Sequence, residues 1–518
     1  MKKNFLFTTV ITCCFLLTAW TPPTLTKEQM YEDFDEFLFI LENANPQLPI
    51  RKSVTGVGIL DSIKALRTRI DTIQNYFDFI KLFDYSMRYM YDIHAFIEKQ
   101  GCHQWDDTIG IDTKIINEIY TEYDKWLKEQ SAKKGQTEHS YFPCNPSYLD
   151  GNYYLYGYYI LTSKDKNDTL FIKNAKIISY NNSPYNDYVL RNSHRFFGGS
   201  IRWDFKQNKY YCNSSAFLRN SELVLENEDG KIFSLNPSAY YGIDVITQRC
   251  DATLNQNADF KFYKQTYKRE NRVFYLEKDK ILYVYLPDMN DPEYQTAEKV
   301  KEIGKGKEIN KVIFDVRGNL GGSDFVWHNV LKSIVADSLI YDVQMAFLNT
   351  DLMRQRLDNH ANITKVQKFE WLPNTEYLVT QYAPSYFVPD HNSLNYKGKI
   401  YVLQDENVYS AGHSLTSYCR HIEQLISVGE PTGLLAGFGL MPMLFQLKHS
   451  KFSFRIEPVI DVTKVNSALD VYQDFPEIVV EFPFEEKRKY LDYKNFDMQN
   501  ENNLYKYDYL FKKVLELK

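Results

Sequence analysis

A serine at the start of a predicted helix is the residue whose type and setting most directly suggest chemistry. Residues 400–403 form an apolar run typical of a buried strand, and the polar residues 405–407 end it. Ser410 follows, and residues 411–418 can continue as a helix. A hydroxyl at this point lies beside outward-pointing N–H groups at the positive end of a helix dipole. Ser410 therefore suits either an acyl-transfer nucleophile or a plain helix cap.

A glycine-rich turn is the second segment with chemical potential. The strand predicted at residues 312–316 runs into R-G-N-L-G-G, which ends at Gly321 and Gly322. Paired glycines allow a tight turn with outward N–H groups that can bind a phosphate or an oxyanion. The spacing matches neither GxxxxGK[ST] nor GxGxxG, so a nucleotide loop is not indicated. An oxyanion site and an ordinary strand-to-helix turn both remain open.

A general base and a carboxylate are also available in the sequence. His94 closes the segment Asp92-Ile93-His94 at the end of a predicted helix, and Asp470 and Asp474 precede a predicted strand. A serine hydroxyl is a weak nucleophile that needs a base within hydrogen-bond reach. Imidazole titrates near pH ~6.5 and can take and return a proton at neutral pH.

Together these segments resemble peptidase family S41, the C-terminal processing (tail-specific) and tricorn core-like peptidases, in a secreted bacterial form. The resemblance extends from about residue 27 to 485, and four motifs carry it. The first is D-x-R-x-N-x-GG, with Asp315, Arg317, Asn319, Gly321 and Gly322. The others are the Ser410 segment, a partial GE-x-T-x-G at residues 429–433 and a D-x-H at residues 92–94. Residues 172–185 resemble, more weakly, the segment of a PDZ domain in which a strand enters an I-N-G-x-P turn.

The resemblance implies roles for these residues. Ser410 would be the nucleophile, and the N–H groups of Gly321 or Gly322 and of Ala411 would form the oxyanion hole. One branch of the family uses a lysine roughly 25 positions after the serine as its base. Because Leu435 stands there, the tricorn-like arrangement is expected instead.

In the tricorn-like arrangement His94 is the base and Asp470 the orienting carboxylate, with Asp474 as a rival. His413 replaces an acidic residue of the family and is a second candidate base. The function implied is a serine endopeptidase that hydrolyses unfolded or C-terminal segments of exported proteins. The alternative is an inactive homologue that binds a peptide or another ligand.

The fold class expected is multidomain α/β, as the length of 518 residues requires several cores. The predicted order is a signal peptide (1–23), an N-terminal helical domain (24–140), a β-rich PDZ-like module (141–265), a layered catalytic core of crotonase-like ClpP/S41 type (266–485) and a C-terminal helical extension (486–518). The PDZ-like module would capture polypeptide by strand addition.

The net charge, the N-terminal residues and the cysteines indicate which partners and which location to expect. The net charge of -6 and the lack of a basic stripe argue against nucleic acid. The basic start and the apolar run that follows it predict export to the periplasm or the cell exterior. Cys13 and Cys14 match a lipoprotein box poorly, so a lipid anchor ranks below simple export. No cofactor or metal is expected, and disulfides Cys102–Cys144 or Cys212–Cys250 are possible pairings.

Overall fold

The computed structural model describes residues 21–92, 94–97, 111–133, 146–162, 169–195, 201–212, 221–236, 270–291, 295–357, 363–381, 385–432, 442–487 and 501–517. Over these residues the chain is mixed α/β, with helices first, then a strand-rich part, then alternating strands and helices. The apolar run of the predicted signal peptide, Leu435 and three of the cysteines (Cys102, Cys144 and Cys250) lie outside the described residues. The domain boundaries given above remain predictions.

The N-terminal part consists of helices that pack through apolar stripes. They are α1 (Lys27–Ala44), α2 (Gln47–Thr55), α3 (Ile59–Lys64), α4 (Tyr76–Met87) and α5 (Thr113–Lys133), with β1 (Phe96–Ile97) between the last two. Helix α1 starts with a capping box in which Thr26 and Gln29 bond each other's backbone N–H. Its buried residues include Phe34, Phe37, Leu38 and Leu41, whose i, i+3, i+4, i+7 spacing places them on one face of the helix.

The strand-rich part follows. Its elements are β2 (Ser147–Leu149), β3 (Asn152–Thr162), β4 (Thr169–Tyr180), β5 (Ser183–Pro184), α6 (Tyr185–Asn192), β6 (Ile201–Asp204), β7 (Lys209–Cys212), β8 (Leu223–Glu226) and β9 (Ile232–Leu235). Strands β2, β3, β4, β8 and β9 form one antiparallel sheet in that order, with β5 paired to β4, while β6 and β7 form a separate hairpin.

The third part alternates strands with helices. Its strands are β10 (Arg272–Leu276), β11 (Ile281–Tyr285), β12 (Lys311–Asp315), β13 (Leu339–Tyr341), β14 (Gln344–Leu348), β15 (Ile363–Phe369), β16 (Leu372–Gln381), β17 (Ser385–Phe387), β18 (Ile400–Gln404), β19 (Leu425–Gly429), β20 (Met443–Gln446), β21 (Ser453–Ile456), β22 (Ile460–Asp461) and β23 (Ile478–Val479). Its helices are α7 (Gln295–Gly304), α8 (Asp324–Lys332), α9 (Asp351–Leu357), α10 (Ala411–Cys419), α11 (Ala468–Tyr472), α12 (Glu501–Tyr507) and α13 (Tyr509–Glu516).

A six-stranded sheet in the order β10-β11-β12-β18-β19-β23 forms the centre of this part. Within this sheet β11, β12, β18, β19 and β23 run parallel to one another, and β10 runs antiparallel to β11. Both faces are covered, because Val312 and Phe314 face the large hydrophobic core while Ile313 faces the C-terminal helices α12 and α13. Burial on both sides explains why these strands read as continuous apolar runs.

The sheet brings two loops to one edge. Parallel neighbours β12 and β18 end at Asp315 and Gln404, so the glycine turn and the loop before Ser410 emerge side by side. The N-terminal part reaches the same core through β1, which pairs with β21. In the stretches that the structure describes, no helix combines the length and the apolar character needed to cross a bilayer.

Candidate active site

Ser410 occupies a backbone conformation that serine rarely adopts. Its φ and ψ are 53° and −126°, at the turn between the loop after β18 and helix α10. A non-glycine residue held in such a sparsely populated region stores strain, and strained residues cluster at active sites. Ser410 stands at the N-cap position, but its side chain makes no capping hydrogen bond. The sharp turn leaves the hydroxyl available for another partner.

That partner is His94. The Nε2 atom of His94 lies 3.3 Å from Oγ of Ser410, although the two residues are 316 positions apart in the chain. This separation is slightly longer than an ideal serine–base hydrogen bond, as is common in the absence of substrate. His94 lies in the loop that follows Tyr91, a residue with a left-handed φ of 48°, and that precedes β1. The serine and the imidazole therefore have the geometry of a nucleophile and its base.

The glycine turn packs directly on the serine. A Cβ atom added to Gly321, whose φ is +105°, would lie 2.4 Å from Cβ and 2.8 Å from Oγ of Ser410. A Cβ atom on Gly322, whose φ is +138°, would lie 2.5 Å from the carbonyl oxygen of Met289. Both positions require glycine, because other residues resist these φ values and have no space there.

Two backbone N–H groups remain beside the serine. The N–H of Gly321 donates to Oδ1 of Asn319 at 2.7 Å, so it is already used. Ala411 is the first residue of α10, where an N–H has no partner within the helix. Within the described residues neither the N–H of Ala411 nor that of Gly322 has a backbone hydrogen bond of its own. Of the predicted oxyanion donors, these two keep a free N–H group.

Asn319 connects the two turns. Its backbone carbonyl accepts from the N–H of Tyr409 at 2.8 Å, and its side-chain amide donates to the carbonyl of Leu286 at 2.6 Å. The residue is fully buried. A buried amide with these partners holds the glycine turn and the serine turn in fixed relation.

A buried carboxylate that the sequence reasoning missed stands at the end of β21, the strand that pairs with β1, and burial, with a smaller contribution from this carboxylate's charge, raises the pKa of Tyr409. Glu457 directly follows β21 and is 1% exposed. Phe96 pairs with Arg455 and Ile97 with Phe454 in antiparallel register, so the His94 loop, before β1, and Glu457, after β21, lie at the same end of this strand pair. The signal in the sequence was a single Glu at the end of an alternating strand, before Pro458.

Asp470 and Asp474 lie elsewhere. The Asp470 carboxylate, in the first turn of α11, accepts from the N–H of Asn466 at 3.1 Å. The buried Asp474 accepts from Oγ1 of Thr416 at 2.7 Å. Both carboxylates line a small pocket together with His413. Within the described residues no hydrogen bond or ion pair joins either carboxylate to His94.

His413 belongs to the same polar group. Its Nε2 atom lies 3.7 Å from Oδ2 of Asp474 and 3.5 Å from Oγ of Ser417, one turn further along α10. Burial lowers the pKa of His413, and the nearby Asp474 only partly offsets this effect. The contacts of this ring therefore point along the helix, whereas His94 has the short distance to Ser410.

Two charged motif residues serve the fold. Arg317 is buried and bonds both Asp315 and Asp508, the latter just before α13, with Nη2–Oδ2 distances of 2.7 and 2.6 Å. Glu430, in the partial GE-x-T-x-G turn, pairs with the buried Lys487. Buried ions of this kind are tolerated because they are paired and hydrogen-bonded.

Known proteins resemble this chain only distantly in sequence. No curated protein matches the sequence. Among solved structures, mature CPAF is 12% identical and aligns over 91% of this chain and 97% of its own, with a TM-score of 0.47. The photosystem II D1 C-terminal processing protease is 12% identical over 88% and 94%, with a TM-score of 0.36. A putative peptidase from Parabacteroides merdae ATCC 43184 is 21% identical over 46% and 64%, with a TM-score of 0.31.

The family comparison covers the part of the chain that carries the serine. Residues 280–461 match the model of Peptidase family S41. This range contains the glycine turn, Ser410 and Glu457, while His94 reaches the site from outside it. Over residues 280–461 the sequence is therefore similar to peptidase family S41, as its motifs predicted.

Proposed function

We propose that the protein is a serine endopeptidase that hydrolyses peptide bonds in unfolded or C-terminal segments of exported proteins. The observation that carries this proposal is the 3.3 Å approach of His94 Nε2 to the hydroxyl of Ser410. The strained turn at Ser410 and the glycine turn packed on it support the same conclusion. The match to Peptidase family S41 supports a peptide as the substrate.

The reaction follows from the geometry. His94 takes the proton from the Ser410 hydroxyl as the oxygen attacks the carbonyl carbon of the substrate. The N–H groups of Gly322 and Ala411 bind the resulting oxyanion, and one such donor contributes about 3 kcal/mol to lowering the barrier. The imidazolium then gives its proton to the leaving amine, and water hydrolyses the acyl-enzyme by the same steps.

Glu457 replaces Asp470 and Asp474 as the proposed orienting carboxylate. It is buried just after β21, the strand that pairs with β1, and β1 follows the His94 loop. A carboxylate there stabilises the imidazolium and favours one ring orientation. Residues 141–265 are the proposed PDZ-like module, and the antiparallel sheet described within them can add a peptide strand at an edge.

The experiment is hydrolysis of a reduced, alkylated and therefore unfolded protein by the wild type, Ser410→Ala and His94→Ala. Wild-type cleavage with an ascending pH limb near ~6.5, and loss of cleavage in both variants, is expected for an imidazole base. A limb shifted far into the alkaline range contradicts His94 as the base. Binding of the unfolded protein with no cleavage by the wild type means an inactive homologue.

A further inference from the structure

Three groups close a small ring of hydrogen bonds beside the imidazole. The backbone N–H of His94 donates to Oδ1 of Asp92 at 2.8 Å and to the hydroxyl of Tyr409 at 3.1 Å. The Tyr409 hydroxyl in turn donates to the same Asp92 oxygen at 2.9 Å. Tyr409 directly precedes Ser410, so this ring joins the loop of the base to the turn of the nucleophile.

The protonation of Tyr409 suits both of its roles. The residue is 2% exposed, and burial, followed by the charge of Asp92, raises its pKa well above the ordinary value. The phenol therefore keeps its proton, which it donates to Asp92 while its oxygen accepts from His94. The Tyr409 ring also packs against the imidazole, with ring centroids 4.7 Å apart and planes tilted by 38°.

The backbone of Tyr409 is fixed independently of its side chain. Its N–H donates to the carbonyl of Asn319 at 2.8 Å, and its carbonyl accepts from Gly412 at 3.1 Å. Tyr409 thus contacts three separate segments: the His94 loop, the glycine-turn segment and its own helix start. The Ser410–His94 distance depends on how the His94 loop is held against the glycine-turn segment and the start of α10.

We propose that Tyr409 and Asp92 are positioning residues that hold the His94 loop at the distance where its imidazole reaches the Ser410 hydroxyl. The inference rests on the proposed function and deepens it, because both residues act through the placement of His94 and neither exchanges a proton with the substrate. Asp92 acts as a hydrogen-bond acceptor for two donors, so its position matters more than its charge. The ring of Tyr409 fills space, and its hydroxyl sets the loop.

The first test compares Tyr409→Phe with Tyr396→Phe. Both variants remove a buried tyrosine hydroxyl, but that of Tyr396 bonds the carbonyls of Asn310 and Lys399 at the opposite end of the sheet. Tyr409→Phe should lower the rate of labelling by a fluorophosphonate about 10- to 100-fold, the loss expected when a catalytic group shifts by up to 1 Å. Tyr396→Phe should stay within about twofold with a similar change in Tm. Labelling of Tyr409→Phe at the Tyr396→Phe rate overturns the proposal.

The second test separates position from charge at Asp92. In Asp92→Asn the remaining carbonyl oxygen can still accept both hydrogen bonds, so labelling should stay within about threefold of the wild type. Asp92→Ala removes the acceptor and should reproduce the loss seen in Tyr409→Phe. A large loss in Asp92→Asn together with a shifted pH midpoint would mean that Asp92 acts through its charge, which contradicts a positioning role.

Hydrogen exchange measures how firmly the His94 loop is held and does not require the protein to be catalytically active. Deuterium uptake of a peptide spanning residues 91–97 should rise in Tyr409→Phe and stay unchanged in Tyr396→Phe, whether or not the protein reacts with a fluorophosphonate. If the fluorophosphonate does not label the wild type but exchange is faster in Tyr409→Phe, the proposed peptidase function is wrong and the positioning of the His94 loop by Tyr409 still stands. If exchange is unchanged in Tyr409→Phe, Tyr409 does not position the His94 loop, even if the wild type is active.

Discussion

A methyl group at position 321 should disable the serine. In Gly321→Ala the new Cβ would lie 2.4 Å from Cβ of Ser410, 2.8 Å from its Oγ and 3.0 Å from the N atom of Ala411. Carbon atoms in contact normally stay about 3.5–4.0 Å apart, so the two turns must separate by about 1 Å or more. A shift of about 1 Å in a catalytic group reduces the rate about 100-fold.

The matched control is Gly306→Ala. Gly306 also has a positive φ of +70°, but a Cβ there meets nothing within 4 Å, and the residue lies in the loop that follows α7. Gly306→Ala should lose about 1–2 kcal/mol of stability from the left-handed backbone, and Gly321→Ala should lose more because the collision adds its own cost. Only Gly321→Ala should lose activity out of proportion to its stability, because only there does the methyl group collide with the nucleophile.

The assay pairs thermal unfolding with the rate of fluorophosphonate labelling per folded molecule. The expected result is a larger fall in Tm for Gly321→Ala, because of the added collision, and a labelling rate per folded molecule about 100-fold lower in that variant alone. If Gly321→Ala is labelled as fast as Gly306→Ala, the glycine turn does not pack on the reactive serine, and the geometry of the site described above is wrong.

Three further predictions follow from other contacts. His94→Ala should lower kcat/KM by about 100-fold or more while His413→Gln stays within about tenfold, and the reverse order in a peptide-hydrolysis assay would make His413 the base. Asp508→Ala leaves the buried Arg317 without one of its two carboxylates and should cost about 3–5 kcal/mol in urea unfolding. Glu516→Ala, at the exposed Lys513 pair, should change the unfolding free energy little, and equal costs for the two variants would contradict the role given to Asp508. Burial, assisted by Lys332, lowers the pKa of His328 to about 4, so the unfolded chain binds the extra proton and stability falls by about 3 kcal/mol as the pH drops from 6.5 towards 4. His328→Asn should flatten that part of the stability–pH curve, and an unchanged curve would refute this assignment.

Much of the fold of the core was predictable from local sequence. Strands β11, β12 and β18 are buried on both faces, so each appears as an apolar run that ends at a polar or glycine-rich turn. The predicted helix after Ser410 is confirmed as α10. Strand β4 spans Thr169–Tyr180 although polar residues divide its sequence into two apolar runs, because polar residues on one face of an antiparallel sheet do not interrupt it.

The partners of the serine were harder to predict. His94 was expected from a three-residue motif. Its contact with Ser410, 316 positions away, comes from the tertiary fold and cannot be inferred from a local sequence pattern. Glu457 was missed because its relation to His94 comes from the register between β1 and β21. Asp470 was favoured from a short alignment, whereas its carboxylate accepts from a neighbouring backbone N–H.

Charged motif residues were also ambiguous from sequence alone. Arg317 lies within two residues of Asn319, and a charged residue in a glycine-rich turn is easily taken for part of a binding site. Its ion pair with Asp508 instead ties the end of β12 to the C-terminal helices. The long sequence separation of that pair, 191 residues, hides its structural role.

The central claim is that Ser410 is the nucleophile, and mapping a covalent adduct tests it most directly. The wild type is treated with a fluorophosphonate, digested, and sequenced by mass spectrometry, with Ser410→Ala treated in parallel. One phosphonate on Ser410 of the wild type and none on Ser410→Ala is the expected result. An adduct on another residue, or equal labelling of both proteins, would contradict the account.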